Sequence, residues 1–205
     1  MPANKTYVLG LTGGIGCGKS EAAKVLASLG AKHVDTDGIS RRLTAPGGAA
    51  LPAIRSVFGD DVFDAEGALD RRRLAEIVFN DLQRRRQLEG ILHPLVQREA
   101  MEAIAEANEA GIAVTVLDVP LLFESGMDVL CDETWTMSLD PRIQLERIRA
   151  RDGLDEAQAQ ARIASQMSME MRDARADRVI DTNRPLEKTQ AELAQLFAQL
   201  RRRIG

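Results

Sequence analysis

Eight consecutive residues near the start of the chain have the types and spacing that bind phosphate. The segment consists of Gly13, Gly14, Ile15, Gly16, Cys17, Gly18, Lys19 and Ser20. It matches the G-x-x-x-x-G-K-[ST] pattern of a phosphate-binding P-loop. An apolar, partly β-branched stretch precedes it over residues 8–12, and apolar residues at helical spacing follow it. A strand, a glycine-rich turn and a helix in this order aim the amides of a helix N-terminus at an anion.

Each residue type in this segment has a chemical reason. Glycines let backbone N–H groups close around phosphate oxygens, because no Cβ stands in the way. Lys19 can reach the β- and γ-phosphates of a nucleotide as a mobile charge, and the Ser20 hydroxyl can coordinate Mg²⁺. The sequence therefore predicts a site for a nucleoside triphosphate with Mg²⁺, to which we also assign the next residue, Glu21.

Two acidic residues, Asp35 and Asp37, follow the second predicted strand. Transfer of a phosphoryl group to an alcohol needs a group that orients the hydroxyl and accepts its proton, and aspartate is suited to that role. The alternative is that one of the two caps a helix over residues 38–43. The sequence leaves both interpretations open.

Arginines are concentrated on a predicted helix that begins at Pro141 with Asp140 as its N-cap. Arg147 and Arg151 are four residues apart and share a face. On a flap over the nucleotide they would stabilise the charge of the transferring phosphoryl group and exclude water. The alternative is a solvated face on which arginines pair with acids such as Asp152.

Composition limits the classes of partner. Aromatic residues make up 3% of the chain and the net charge is −4, so neither base stacking nor electrostatic attraction to nucleic acid is indicated. No apolar stretch approaches the roughly 18 residues of a membrane span, and no apolar leader is recognisable. We expect a cytoplasmic protein without a nucleic-acid or membrane partner. Cys17 lies beside a helix N-terminus that could lower its pKa and favour a redox role, but we favour the interpretation that it is a small residue filling a tight loop.

Strand patterns alternate with longer helical ones, which predicts an α/β fold with a doubly wound, parallel five-stranded sheet. The predicted strands cover residues 8–12, 32–36, 113–119, 134–139 and 178–181. Helices are predicted over residues 155–171 and 185–203, and His93 with Pro94 interrupts a helical pattern. We expect a single domain over residues 1–205 with three parts. They are a nucleotide-binding core (about 1–37, 111–140 and 176–205), a helical insert (about 38–110) and a lid (about 141–175).

The ordered set of motifs resembles the dephospho-CoA kinase family over almost the whole chain. The matching segments are residues 10–20, 34–37, 69–74, 92–95, 118–124, 147–153, 165–167 and 176–180. The resemblance implies a P-loop kinase that transfers the γ-phosphoryl group of ATP to the ribose 3′-hydroxyl of dephospho-CoA, the last step of coenzyme A synthesis. Two segments depart from the family pattern: Glu21 replaces a small residue, and residues 181–185 replace an Asn-rich turn near the adenine.

The same resemblance implies roles for individual residues. Asp37 matches the catalytic carboxylate, Lys19 and Ser20 keep their phosphate and metal roles, and Arg147 and Arg151 match the lid arginines. The positions that match the dephospho-CoA site are Asp35, Arg71, Leu92, His93, Leu121 and Leu122.

Two alternatives remain open from the residues alone. A P-loop kinase for another nucleotide or small alcohol would share the loop and the lid arginines. A regulatory nucleotide switch would share the loop, although the Asn-Lys-x-Asp motif of a guanine switch is missing. We expect a monomer.

Overall fold

The computed structural model describes residues 5–205. Its strands are β1 (Tyr7–Gly13), β2 (Lys32–Asp35), β3 (Val114–Asp118), β4 (Glu133–Ser138) and β5 (Arg178–Asp181). Its α-helices are α1 (Lys19–Ser28), α2 (Thr36–Leu43), α3 (Leu51–Phe58), α4 (Arg71–Asn80), α5 (Leu82–Glu109), α6 (Pro141–Asp152), α7 (Glu156–Ala164), α8 (Met169–Arg175) and α9 (Leu186–Ile204). Two short 3₁₀ helices cover Asp60–Val62 and Met127–Leu130.

The five strands form one parallel sheet in the order β2-β3-β1-β4-β5. The central strands β1, β3 and β4 are buried almost throughout, as expected for a parallel sheet with helices on both faces. Strands β1 and β3 are mainly apolar, whereas in β4 polar residues alternate with Trp135 and Met137. Helices α1 and α9 contribute to the main core through residues such as Leu26, Leu193 and Phe197. The predicted fold class and the parallel five-stranded sheet are confirmed.

The chain divides into two structural units. The P-loop unit comprises Ala103–Gly205 with the described residues up to Asp35, and it contains the whole sheet. The helical unit is Thr36–Glu102. It contains α2, α3 and α4, the first of the 3₁₀ helices and most of α5. Within residues 5–205, no helix is both long enough and apolar enough to cross a membrane.

Apart from small shifts at the ends of other elements, three differences from the sequence prediction concern the site, the predicted lid and the helical unit. Strand β2 ends at Asp35 and α2 begins at Thr36, so Asp37 lies inside the first turn of the helix rather than before it. The predicted helix over residues 155–171 is two helices, because Ser168 caps a new start at Met169. Helix α5 continues through Pro94. The proline removes only one backbone donor, and the good helix formers on either side keep the flanking turns helical.

Candidate active site

The P-loop connects the central strand to the first helix. Strand β1 ends at Gly13, the N–H of Cys17 donates to the carbonyl of Gly14 at 3.1 Å, and α1 begins at Lys19. Gly18 has φ of 86°, a left-handed conformation that glycine adopts without strain, and no side chain caps the helix. The first amides of α1 are therefore left for an external anion.

Cys17 is completely buried within this loop. Burial raises the pKa of its thiol to about 11, against a smaller lowering by the charges of Arg172 and Arg147. The sequence-based suggestion that the helix N-terminus lowers this pKa is wrong, because desolvation of a thiolate outweighs the nearby positive charge. The thiol is neutral at physiological pH and fills space in the loop.

Lys19 forms a buried ion pair with Asp118, the last residue of β3. The second oxygen of Asp118 lies 3.0 Å from Nε2 of His33 on β2. Burial raises the pKa of the Asp118 carboxyl, but the hydrogen bond with His33 and the charge of Lys19 more than offset it, so the pKa is lowered. The hydrogen bond with Asp118 raises the pKa of His33. These contacts hold Asp118 as a carboxylate beside the loop lysine.

Asp118 and His33 were not among the site residues predicted from the sequence. The available signal for Asp118 was an acidic residue at the end of the most apolar predicted strand, where ligands of parallel sheets bind. His33 carried no signal, because its pairing depends on the register in which His33 stands opposite Val116 on the neighbouring strand.

Two glutamines hold the peptide groups of Ile15 within the loop. The Gln166 Oε1 atom accepts from the Ile15 N–H at 2.9 Å, and Gln144 donates from Nε2 to the Ile15 carbonyl at 2.8 Å. Gln144 lies on α6 and is 3% exposed, while Gln166 lies in the turn between α7 and α8. The elements predicted to form a lid therefore contact the phosphate loop through its backbone.

A pocket of about 250 Å³ opens beside the start of α1. Its lining comprises Gly18, Glu21, Ala22, Met137, Arg147, Thr182, Arg184, Leu186, Thr189, Gln190 and Leu193. The lining combines apolar side chains such as Met137, Leu186 and Leu193 with polar and charged ones, so it offers both apolar contact and hydrogen-bonding groups to a ligand. Glu21 takes part in this lining, while Asn183 has an anchoring role and accepts from the N–H of Asp140 at 2.7 Å.

The two predicted lid arginines have different surroundings. Arg147 borders the pocket, with Nη2 at 3.5 Å from the carbonyl of Thr182. Arg151 forms two hydrogen bonds to the adjacent Asp152, at 2.7 and 2.9 Å, and Arg162 donates to the same carboxylate at 2.8 Å. The alternative of a paired, solvated arginine thus describes Arg151 in this structure, and the catalytic role of both arginines stays a prediction.

Four of the other predicted site residues lie in the helical unit. Asp37 is exposed in the first turn of α2, and Arg71 at the start of α4 donates to the carbonyl of Arg41 at 3.0 Å. Leu92 and His93 are half-buried on α5. Their roles toward a substrate stay predictions.

The remaining predicted residues lie in the P-loop unit. Asp35 ends β2 and is half-buried, as is Leu121 in the turn after β3. Leu122 is fully buried beneath Gly10 of β1, where an added Cβ would lie 3.1 Å from its side chain. Leu122 therefore supports the turn from the core, and only Leu121 of the two has solvent access.

Comparisons with known proteins agree on one family. A family model described as dephospho-CoA kinase matches residues 7–188. A dephospho-CoA kinase of Syntrophotalea carbinolica is 43% identical over 193 residues, which cover 94% of this chain and 92% of that relative. A crystal structure from Thermus thermophilus matches with a TM-score of 0.81 at 32% identity, covering 95% of this chain and 98% of the other. A dephospho-CoA kinase from Campylobacter jejuni matches with a TM-score of 0.72 at 28% identity, covering 95% and 97%.

Proposed function

The chain belongs to the dephospho-CoA kinase family, and on that premise we propose how its own residues carry out the reaction. It is an ATP-dependent kinase whose acceptor is an alcohol, the ribose 3′-hydroxyl of dephospho-CoA, and whose products are CoA and ADP. The observation that best supports the roles assigned to these residues is that the P-loop and the pocket beside α1 adjoin at Gly18.

The nucleotide binds with its phosphates in the loop and its base in the pocket. Gly18 of the P-loop also lines the pocket, beside Glu21 of α1, so one nucleotide can occupy the loop and the pocket together. The loop from Gly13 to Ser20 surrounds the phosphates, the backbone amides at the start of α1 donate to phosphate oxygens, and Lys19 moves its charge from Asp118 to the β- and γ-phosphates. Met137, Thr182 and Leu186 surround the base.

The residues that would hold Mg²⁺ are Ser20, through its hydroxyl, and Asp118, through its carboxylate, together with oxygens of the nucleotide. Both side chains are oxygen donors of the kind that Mg²⁺ prefers, and the lowered pKa keeps Asp118 charged. Within residues 5–205, no group of three or more His, Cys, Asp or Glu residues could hold a metal by itself, which fits an ion shared with a phosphate chain. When bound, the ion offsets the negative charge of the β- and γ-phosphates.

Asp37 is the catalytic base. Its carboxylate accepts the proton of the ribose 3′-hydroxyl as that oxygen forms its bond to the γ-phosphorus, while the bond from the γ-phosphorus to the bridging oxygen of ADP breaks. Asp35, Arg71, Leu92, His93 and Leu121 bind dephospho-CoA, with Leu122 fixing the turn that carries Leu121. Arg71 supplies positive charge for the acceptor's pyrophosphate.

Arg147 and Arg151 complete the site from helix α6. Arg147 lines the pocket together with Gly18 of the P-loop, and from this side of the loop it stabilises the charge on the transferring phosphoryl group. Arg151 must exchange its Asp152 partner for phosphate, and this exchange accompanies closure of α6 and α7 over the nucleotide. Closure excludes water, which would otherwise be phosphorylated in place of the acceptor.

Two further assignments belong to the proposal. The protein acts as a monomer in this proposal. It works in the cytoplasm, where its two thiols, Cys17 and Cys131, stay reduced as they are in this structure.

The proposal is tested by ADP release from Mg-ATP in the presence of different acceptors. We expect ADP release that depends on dephospho-CoA and that adenosine, shikimate or glycerol does not stimulate. Stimulation by another alcohol alone would identify a different P-loop kinase. Slow ADP release that no acceptor changes would indicate a nucleotide switch.

A further inference from the structure

Arg172 on helix α8 is a buried cation without a carboxylate partner. The residue is 2% exposed, and its Nε atom has no hydrogen-bond partner. Its Nη2 donates to the carbonyl of Met167 at 2.7 Å. Across residues 5–205 it forms no ion pair, whereas Arg175 on the same helix pairs with Asp128 at 3.2 Å. The neighbouring Asp173 accepts from Ser138 at 2.7 Å with one carboxylate oxygen, and its other oxygen is buried without a hydrogen-bond partner.

The guanidinium lies directly behind the phosphate loop. A Cβ on Gly14 would stand 3.1 Å from Nη1 of Arg172 and 2.8 Å from Nε2 of Gln144, so the loop backbone and these side chains are in close contact. The charge of Arg172 also reaches the interior of the loop, where it opposes the rise in the pKa of Cys17 that burial causes. Glycine at this position is what permits the approach.

An uncompensated charge in this buried position lowers the stability of the folded protein. A buried charge is normally paired, because the attraction of a counter-ion must offset its desolvation. A buried polar atom without a partner in a native structure needs a specific explanation. Among residues 5–205 no carboxylate lies within 4.0 Å of the Arg172 guanidinium, whereas a nucleotide's phosphate chain in the adjoining loop would carry several negative charges.

We propose that Arg172 is a positioning residue for phosphoryl transfer, whose buried charge braces Gly14 from behind and is compensated by the phosphates of the bound nucleotide. This inference rests on the proposed function, because it requires ATP in the P-loop. Arg172 acts through the loop backbone and through its electric field, since its burial keeps it from direct access to solvent or ligand.

The test compares the binding of ATP, ADP and adenosine by calorimetry in the wild type and in Arg172→Met. We expect Arg172→Met to weaken ATP binding by about tenfold to a hundredfold, the range for a charged interaction. ADP binding should weaken less, and adenosine binding should stay within about twofold. Arg172→Lys, which keeps a positive charge, should recover most of the ATP affinity. Arg175→Met removes an exposed arginine of the same helix and should bind as the wild type does.

The melting temperature without nucleotide separates this role from a purely structural one. Removing an unpaired buried charge should leave the free protein as stable as the wild type or more stable, while the increase in melting temperature on adding ATP becomes smaller. A structural arginine would give the opposite pattern, a less stable free protein with an unchanged response to ATP. If Arg172→Met does not fold, Arg172→Gln removes the charge and keeps a donor for Met167.

Two results would overturn the inference. One is ATP affinity in the charge-removing variant within twofold of the wild type, and the other is an equal loss for ATP and adenosine. A wild-type protein that binds no ATP would instead contradict the proposed function.

Discussion

Lys19 and Asp118 form an ion pair in which the side chains are 14% and 6% exposed. The pair follows from the sheet topology, because β3 lies beside β1 and places Asp118 opposite Leu11, just before the phosphate loop. The lysine that is to meet the phosphates is thus held by a carboxylate before nucleotide binds. In the proposed mechanism, the nucleotide phosphates compete with Asp118 for the ammonium group of Lys19.

Replacing Lys19 with alanine should weaken both ATP binding and turnover. The variant loses the charge that meets the phosphates, and it removes the lysine from the Asp118 carboxylate, whose hydrogen bond with His33 stays. Breaking a buried pair from one side also costs about 3 kcal/mol of folding free energy or more. Calorimetry, steady-state rates and urea unfolding measure the three effects. Wild-type affinity together with wild-type turnover would contradict the P-loop assignment.

His33 should give the protein a pH-dependent contribution to stability. The hydrogen bond with Asp118 raises its pKa in the folded state. The contribution is therefore fully present below the unfolded value of about 6.5 and is lost as the pH rises through the raised folded pKa. Urea unfolding of the wild type and His33→Gln between about pH 5.5 and 9 should show a stability difference that shrinks with rising pH. A stability difference that is constant over this pH range would contradict the raised pKa of His33 and its coupling to Asp118.

Asp37→Asn should separate chemistry from nucleotide binding. Asparagine keeps the size of the side chain but cannot accept the hydroxyl proton, so turnover should fall by at least about a hundredfold. ATP affinity should remain near that of the wild type. Asp61→Asn, at another exposed acid of the helical unit, is the matched control and should leave turnover unchanged. Full activity of Asp37→Asn would exclude Asp37 as the base.

Leu121 and Leu122 should respond differently to truncation. Leu122→Ala opens a cavity beneath β1 and should lower the free energy of unfolding by about 2–5 kcal/mol. Leu121 is only half-buried, so Leu121→Ala should affect stability less and should raise KM for dephospho-CoA. Chemical denaturation and steady-state kinetics with varied acceptor provide the comparison. A stable Leu122→Ala protein would mean that the turn after β3 is not anchored as described.

The features that the sequence predicted well are those encoded over short stretches. The P-loop lies within one segment, and the buried strands β1 and β3 carry continuous apolar patterns. The start of α6 was also predictable, because Asp140 caps it by accepting from the N–H of Arg142. Local patterns of this kind depend little on the rest of the fold.

The features that the sequence did not predict depend on contacts between distant residues. Two hydrogen bonds stabilise the break between α7 and α8. Gln166 accepts from the N–H of Ile15, and Glu124 accepts from the N–H of Met167. From the sequence alone, Arg172 resembles an ordinary surface residue of a helix. In the structure, α8 packs it against Gly14. No periodicity or motif predicts contacts between residues so far apart in the chain, so the side chains that support the phosphate loop were identified only from the structure.

The most direct measurement of the central claim is the mass of the acceptor after incubation with Mg-ATP and the protein. The account predicts that dephospho-CoA gains one phosphoryl group at its ribose 3′-hydroxyl, that one ADP forms for each product, and that Asp37→Asn forms little of it. Formation of ADP while dephospho-CoA keeps its original mass would contradict the account.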